Sequence, residues 1–151
     1  MSGAGGFDFP RPFTQPLVVE VSHIDGLNHA NNAVYVQWCE AIAWAHSEAL
    51  GLSISDYRQL DRAMAIHKAE YDYLKPALLA EHLTLATWLT SSDGKLNMTR
   101  QFQLIRGQET LMRGQWRLVC IEMSSGRARR MPPAFLQAYE PALVEVTREE
   151  G

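Results

Sequence analysis

The chain has 151 residues, of which 46% are hydrophobic, and its formal net charge is −3. This length is enough for one domain with its own core, and the charge balance excludes a strongly basic surface for nucleic acid or acidic membranes. No stretch reaches the roughly 18 uninterrupted apolar residues that a membrane-spanning helix needs. We therefore predict a globular protein with no nucleic-acid partner and no membrane partner.

The N-terminal segment is rich in glycine and proline. It reads MSGAGGFDFPRPF and lacks the basic start and apolar block of a secretory signal. We predict a flexible arm over residues 1–15 and a single domain over residues 16–151, with a first strand at 17–21. The two cysteines, Cys39 and Cys120, lie in apolar segments without metal-ligand spacing, which favours reduced thiols and a cytoplasmic location.

A helix is predicted over residues 32–50, because apolar residues recur there at intervals of three or four. Asn31 or Asn32 provides an N-cap, and Gly51 a C-terminal stop. Few charges lie on the remaining faces, so we expect the helix to be largely enclosed. Its main apolar face contains Val34, Trp38, Ile42, Ala45 and Ala49.

Beyond a short helical turn at 55–60, the periodicity becomes two. Strands are predicted over 63–74, 83–91, 96–106 and 111–123, with glycine-containing turns typical of antiparallel neighbours between the last three. One helix and about five antiparallel strands indicate an α+β fold, although periodicity alone allows several arrangements. One face of the strand at 63–74 is predicted to carry Ala65, His67, Ala69, Tyr71 and Tyr73.

The loop between the first strand and the helix contains one acidic residue, Asp25, followed by His29. A helix N-terminus has unpaired N–H groups and partial positive charge, which favour oxygens that bear or develop negative charge. A carboxylate beside such donors can serve acyl-transfer chemistry. The alternative is that Asp25 only caps a turn, since Asp-Gly is a common turn pair.

The spacing of this loop also carries a resemblance. Residues 25–35 read D-x3-H-x-N-N-x2-Y, which resembles the motif of acyl-CoA thioesterases of the 4-hydroxybenzoyl-CoA thioesterase type. The resemblance continues at Glu40, at Tyr73 with Pro76, and at Arg130 with Pro132. Three positions depart from the family pattern. His23 stands where an acidic residue is common, Asn28 where glycine is usual, and Ala43 where arginine is usual.

The resemblance implies a hotdog fold, in which an antiparallel sheet of about five strands wraps around one long helix. It also implies a homodimer or homotetramer with active sites at the subunit boundary. The expected reaction is hydrolysis of an acyl-CoA, or of an acyl carrier protein thioester, to a free acid and the thiol. No metal or organic cofactor is expected.

The catalytic candidates are Asp25, Asn32 and His29. Asp25 would be the nucleophile or the general base, and the backbone N–H groups around Asn32 and Ala33 would form the oxyanion site. His29 would orient the loop or transfer a proton, or would simply bond to a backbone carbonyl. Glu40 is a rival carboxylate, but it lies about 12 Å along the helix from Asn32, too far to share that oxyanion site within one subunit.

Five residues are candidates for substrate binding. The hydroxyl of Tyr35 would line the pocket, and His67 would reach the active site of a neighbouring subunit or pack in the interface. Lys75, Arg129 and Arg130 would hold the phosphates of coenzyme A, or would belong to solvated loops.

Two other functions remain open at this point. One is a hotdog enoyl-CoA hydratase or dehydratase, whose aspartate and histidine are separated by four residues rather than the three between Asp25 and His29. The other is an acyl-CoA-binding protein without catalysis, which would be expected to lack the loop acid. Neither the acyl group nor the choice between dimer and tetramer follows from the sequence.

Overall fold

The computed structural model describes residues 6–146, which form one antiparallel sheet, three α-helices and two short 3-10 helices. The sheet has five strands in the order β1-β3-β4-β5-β2, so β1 and β2 are its edges. The strands are β1 (Phe13–Val18), β2 (Arg62–Tyr73), β3 (His82–Ser92), β4 (Asn97–Arg106) and β5 (Glu109–Glu122). The helices are α1 (Asn32–Ala49), α2 (Ile54–Leu60) and α3 (Pro133–Tyr139).

Helix α1 begins where the sequence predicts. The side chain of Asn31 accepts a hydrogen bond from the amide of Ala33, and Gly51 follows the helix with a φ of +99°. The helix residues Tyr35, Cys39 and Ile42 are buried in the same core cluster as strand residues of β3, β4 and β5. Helix α1 therefore packs on one face of the sheet.

The α+β class and the five antiparallel strands are confirmed. The expectation of one long helix is incomplete, because α1 has 18 residues and α3 also enters the core. Phe135 and Tyr139 of α3 are almost completely buried. Pro132 and Pro133 interrupt the strand pattern and allow a helix start, since proline is tolerated at the first helical position.

The N-terminal part of the chain differs from the prediction. Residues 1–5 of the predicted arm lie outside the described residues, but residues 7–9 pack on the sheet, where Phe7 and Phe9 contact the ring of Trp88 edge to face. Asp8 forms an ion pair with Arg113. Strand β1 begins at Phe13, so the predicted boundary at residue 16 falls inside a strand. Local composition does not predict the contacts of Phe7 and Phe9 with Trp88, because these residues lie far apart in the sequence.

Strand β2 contains a β-bulge that changes which residues share a face. The pairing with β5 shifts between Ile66 and Lys68, so the alternation reverses at His67. Met64 and Ile66 therefore lie on the same face as Tyr71, which is the face that helix α1 covers. His67 lies on the opposite face. The predicted face with His67 beside Ala69, Tyr71 and Tyr73 is wrong for this reason.

Both cysteines are free and buried. Burial raises the pKa of the Cys39 thiol, and it raises the pKa of Cys120 to about 11. Both side chains therefore remain protonated and pack as small apolar groups.

Among the helices within residues 6–146, none is long and apolar enough to cross a membrane.

The core position of Leu104 gives a test of the packing. Leu104 is fully buried, whereas Leu79 is half exposed in the segment before β3. Leu104→Ala should lower the free energy of unfolding by about 2–5 kcal/mol, because it removes buried methyl groups and leaves a cavity. Leu79→Ala is the matched control and should cost less than about 1 kcal/mol. Urea unfolding measures both, and equal effects would contradict the burial of Leu104 in the core.

Candidate active site

The loop before α1 is closed by backbone hydrogen bonds. The amide of Asp25 donates to the carbonyl of His29 (2.8 Å), and the amide of Asn31 donates to the carbonyl of His23 (2.8 Å). Asn28 has a φ of +63°, a left-handed conformation that asparagine tolerates better than most residues. Asparagine therefore serves at the position where the family pattern has glycine.

The carboxylate of Asp25 is held through one of its two oxygens. Oδ1 accepts hydrogen bonds from the amides of Leu27 (2.8 Å) and His29 (3.3 Å). Oδ2 accepts none from residues 6–146. Asp25 can therefore cap the turn and still react with a ligand, because Oδ1 fixes the side chain and Oδ2 has no partner among the described residues.

Among the described residues, the N-terminus of α1 offers one free backbone donor. The amide of Ala33 already donates to Oδ1 of Asn31 (2.9 Å), and the amide of Val34 donates to the carbonyl of Asn31 (2.8 Å). The amide of Asn32 has no partner within the described part of the chain. Of the two amides expected to form the oxyanion site, that of Ala33 is already bonded to the side chain of Asn31, and that of Asn32 is free within the described residues.

Asp25 and the helix start line the same cleft, which has a volume of about 400 Å³. This Asp25 cleft brings together five predicted site residues, namely Asp25, His29, Asn32, Tyr35 and Lys75. Tyr73, Leu74 and Pro76 from the end of β2 complete the wall. The resemblance marks Tyr73 and Pro76, but only the fold places them beside the loop.

Tyr35 has a structural contact in addition to its place in the cleft. Its side chain is 3% exposed, and its hydroxyl accepts a hydrogen bond from the amide of Ala77 (3.1 Å). Its ring meets that of Tyr73 at a centroid distance of 5.2 Å. The hydroxyl therefore fixes the segment after β2 against helix α1.

His29 and Lys75 contribute in different ways. The backbone of His29 exchanges hydrogen bonds with Asp25, while its imidazole bonds to no described residue. Lys75 forms an ion pair with Glu109, which also pairs with Arg106. Because Lys75 lies on the exposed rim, its ammonium can contact a ligand and Glu109 at once.

Three predicted substrate-binding residues lie elsewhere in the single chain. His67 lines a surface depression on the opposite face of the sheet, with Asn97, Thr99, Gln115 and Arg117. Arg129 and Arg130 follow β5, where the Arg129 amide donates to the carbonyl of Cys120. Cys120 pairs with Met64, which is nine residues or about 30 Å of strand from Tyr73.

The contact between Tyr35 and Ala77 gives a test of how the cleft is held. Tyr35→Phe should lower the free energy of unfolding by about 1–3 kcal/mol, because a buried amide loses its acceptor. The hydroxyl of Tyr73 bonds to no described residue, so Tyr73→Phe is the matched control and should change little. Equal losses in urea unfolding would show that the Tyr35 hydroxyl does not fix this segment.

The chain resembles known proteins in both sequence and structure. Its sequence matches the model of the thioesterase-like superfamily over residues 19–139, and no curated protein matches it. A Staphylococcus aureus protein solved in complex with CoA has a TM-score of 0.81 at 20% identity, over 93% of this chain and 90% of that one.

Two further structures carry thioesterase names. The 1,4-dihydroxy-2-naphthoyl-CoA thioesterase of Synechocystis has a TM-score of 0.76 at 19% identity, covering 85% of this chain and 96% of that one. The probable thioesterase YbaW of Escherichia coli has a TM-score of 0.73 at 20% identity, covering 86% and 98%. At such identities these likenesses show a common fold, and they confirm the hotdog-type resemblance. Since the family match covers most of its length, the chain belongs to the thioesterase-like superfamily.

Proposed function

We propose that this protein is an acyl-CoA thioesterase that uses Asp25 as its nucleophile or general base. The observation that carries the proposal is the pairing of a free carboxylate oxygen, Oδ2 of Asp25, with the free amide of Asn32 in one cleft. A thioester carbonyl between them would have an attacking group on one side and a hydrogen-bond donor for its oxygen on the other.

Hydrolysis of the thioester can follow two routes. In the first, Oδ2 attacks the thioester carbonyl carbon, the C–S bond breaks to release the CoA thiolate, and water hydrolyses the resulting anhydride. In the second, Asp25 takes a proton from a water molecule that attacks the same carbon. In both, negative charge develops on the carbonyl oxygen beside the N-terminus of α1, where the Asn32 amide and the helix dipole stabilise it.

Support for coenzyme A as the thiol carrier comes from the relatives. The Staphylococcus aureus structure contains CoA, and the Synechocystis protein is a CoA thioesterase. In this chain, the exposed ammonium of Lys75 on the cleft rim is suited to a phosphate group. An acyl carrier protein thioester would present the same phosphopantetheine arm to this rim.

An assembly of two or more chains would complete the site. Strand β2 is a sheet edge, and it leaves Ile66, Tyr73 and Leu74 substantially exposed. Antiparallel pairing of β2 with its copy would set the start of one strand beside the end of the other. The loop with Arg129 and Arg130 would then approach the partner's cleft rim, and His67 would lie near the junction.

The role of Asp25 is tested by replacing its charge while keeping its shape. Asp25→Asn should fold like the wild type but lose about 10²–10⁴-fold in kcat for acyl-CoA hydrolysis, because the amide can neither attack nor accept a proton. The measurement is release of the CoA thiol, detected with a thiol-reactive dye across a panel of acyl-CoA substrates.

Asp72→Asn is the matched control for this experiment. Asp72 is exposed on the sheet face opposite α1, so its replacement should leave kcat unchanged. Wild-type-like turnover in Asp25→Asn would contradict the catalytic assignment. Loss of the conjugated absorbance of an enoyl-CoA without thiol release would indicate a hydratase, and acyl-CoA binding without any turnover a binding protein.

The assembly is tested by its mass in solution. Light scattering coupled to size-exclusion chromatography should give twice or four times the mass of one chain. Ala69→Pro should shift the protein toward monomer, because the amide of Ala69 faces away from β5 and proline removes that donor from the free edge of β2. The control is Thr14→Pro in the other edge strand, β1, where the amide of Thr14 faces away from β3 and Pro16 is already tolerated at the next such position. A monomeric wild type would refute the shared site.

A further inference from the structure

A second cavity lies on the helix-covered face of the sheet, away from Asp25. Its volume is about 240 Å³, and it opens between helix α1 and strands β2, β4 and β5. Its polar lining consists of Ser47, Tyr57, Arg100 and Tyr139, with Glu40 at the exposed end. We call this cavity the Arg100 pocket.

Arg100 is an unusual residue for this position. It lies on β4 opposite Leu89 and Trp116, which directs it into the core, and it is only 3% exposed. Removing a guanidinium from water is costly unless an opposite charge or several hydrogen bonds compensate. No carboxylate within residues 6–146 lies in ion-pair distance of it.

The protein partners of Arg100 are neutral. Nη1 donates to Nδ1 of His46 (2.9 Å) and to Oγ1 of Thr87 (3.1 Å), so both of its hydrogens are used. Burial, and then the charge of Arg100, lowers the pKa of His46 to about 4, so this imidazole accepts the bond without carrying charge at neutral pH. Burial lowers the pKa of Arg100 only to about 10, so the guanidinium stays positive.

The remaining edge of the guanidinium is free. Nε and Nη2 bond to no described residue, and together they form the parallel pair of N–H donors that binds a carboxylate through both oxygens. The hydroxyls of Ser47, Tyr139 and Tyr57 form a hydrogen-bonded chain in the same wall, with Ser47 and Tyr139 3.0 Å apart. Two of their three hydrogens are used within the chain, so one terminal hydroxyl can donate to a bound anion.

The nearby acid does not fulfil this role. Glu40 is exposed at the mouth of the pocket, seven residues before Ser47 and therefore about 10 Å away along the helix. Glu40 forms no ion pair with Arg100 in the described part of the chain, and its exposure to water screens its charge.

The rest of the lining defines the body of the ligand. Met64, Met98, Trp116 and Leu118 provide apolar walls around the charged end. The volume falls below the roughly 300–1,000 Å³ of pockets for drug-sized ligands, which favours a compact molecule. A phosphate monoester carries about two negative charges, too many for one guanidinium, whereas a carboxylate carries one.

We propose that the Arg100 pocket binds a small organic carboxylate, with its apolar body against the methionine and tryptophan walls and its carboxylate on the Nε and Nη2 donors of Arg100. Such a carboxylate has two possible sources. It is either a free organic acid or a second acid group on the acyl part of a thioester substrate. The latter source rests on the proposed function and on the Asp25 cleft of a partner chain, because Asn32 and Ser47 of one chain lie about 22 Å apart along α1.

The binding test compares benzoate with benzamide, which has the same shape without the charge. Titration calorimetry on the wild-type protein should show benzoate binding at least about tenfold more tightly, the ratio expected from a charge-assisted hydrogen bond. NMR should show that benzoate moves the Nε–H resonance of Arg100. Equal binding of the two compounds, or no binding of benzoate, would overturn the proposal.

Two arginine variants localise the site. Arg100→Met should abolish the preference for benzoate, whereas Arg117→Met, an exposed arginine on the opposite sheet face, should retain it. If Arg100→Met does not fold, Arg100→Lys keeps the charge but lacks the paired donors and should weaken benzoate binding alone. Undiminished benzoate binding in a folded Arg100 variant would refute the assignment.

A final comparison identifies the source of the carboxylate. Hydrolysis of 4-carboxybenzoyl-CoA is measured against that of benzoyl-CoA in the wild type and in Arg100→Met. A higher kcat/KM for the carboxylated substrate, lost in the variant, would assign the carboxylate to the acyl group. Equal rates combined with benzoate binding would assign it to a free acid. Because calorimetry needs no turnover, failure of the thioesterase proposal leaves the pocket test intact.

Discussion

The packing of helix α1 on one face of the sheet is the constraint on which the other features depend. Tyr35, Cys39 and Ile42 bury one side of the helix against strands β3, β4 and β5, and this fixes where its N-terminus lies. The loop with Asp25 closes over that end, because the amide of Ala30 donates to the carbonyl of Ala77 and the amide of Asn31 donates to the carbonyl of His23. A free carboxylate oxygen and a free amide share a cleft as a consequence of this packing.

The closed loop shows how a structural role and a chemical role can coexist in one side chain. Oδ1 of Asp25 satisfies two loop amides and thereby locks the rotamer, which leaves Oδ2 in a defined position. A similar division holds at the helix start, where Asn31 caps Ala33 and leaves the amide of Asn32 free. Preorganised groups of this kind lower the cost of reorganisation when charge develops.

The Arg100 pocket is a second place where the fold maintains a costly arrangement. A guanidinium surrounded by His46, Thr87 and two tyrosines has no opposite charge among the described residues, and an apolar side chain of similar volume would often be as stable. Tyr57 and Tyr139 hydrogen-bond to each other in the same region, and burial raises the pKa of Tyr57. Such a cluster is more readily explained by a ligand than by folding stability.

The sequence by itself determined the class of fold, the extent of α1 and the residues of the loop motif. These depend on local signals, namely hydrophobic periodicity, the asparagine cap, Gly51 and the spacing from Asp25 to Tyr35. The motif also predicted much of the Asp25 cleft, because neighbours in a short closed loop stay neighbours in space.

Only the tertiary structure decided the remaining features. The β-bulge at His67 reversed the alternation of β2, the aromatic residues before β1 packed on Trp88, and Arg100 came to share a pocket with residues of α1, α2 and α3. Each of these depends on contacts between segments far apart in the chain, or on one unpaired residue in a ladder, and periodicity carries no information about either.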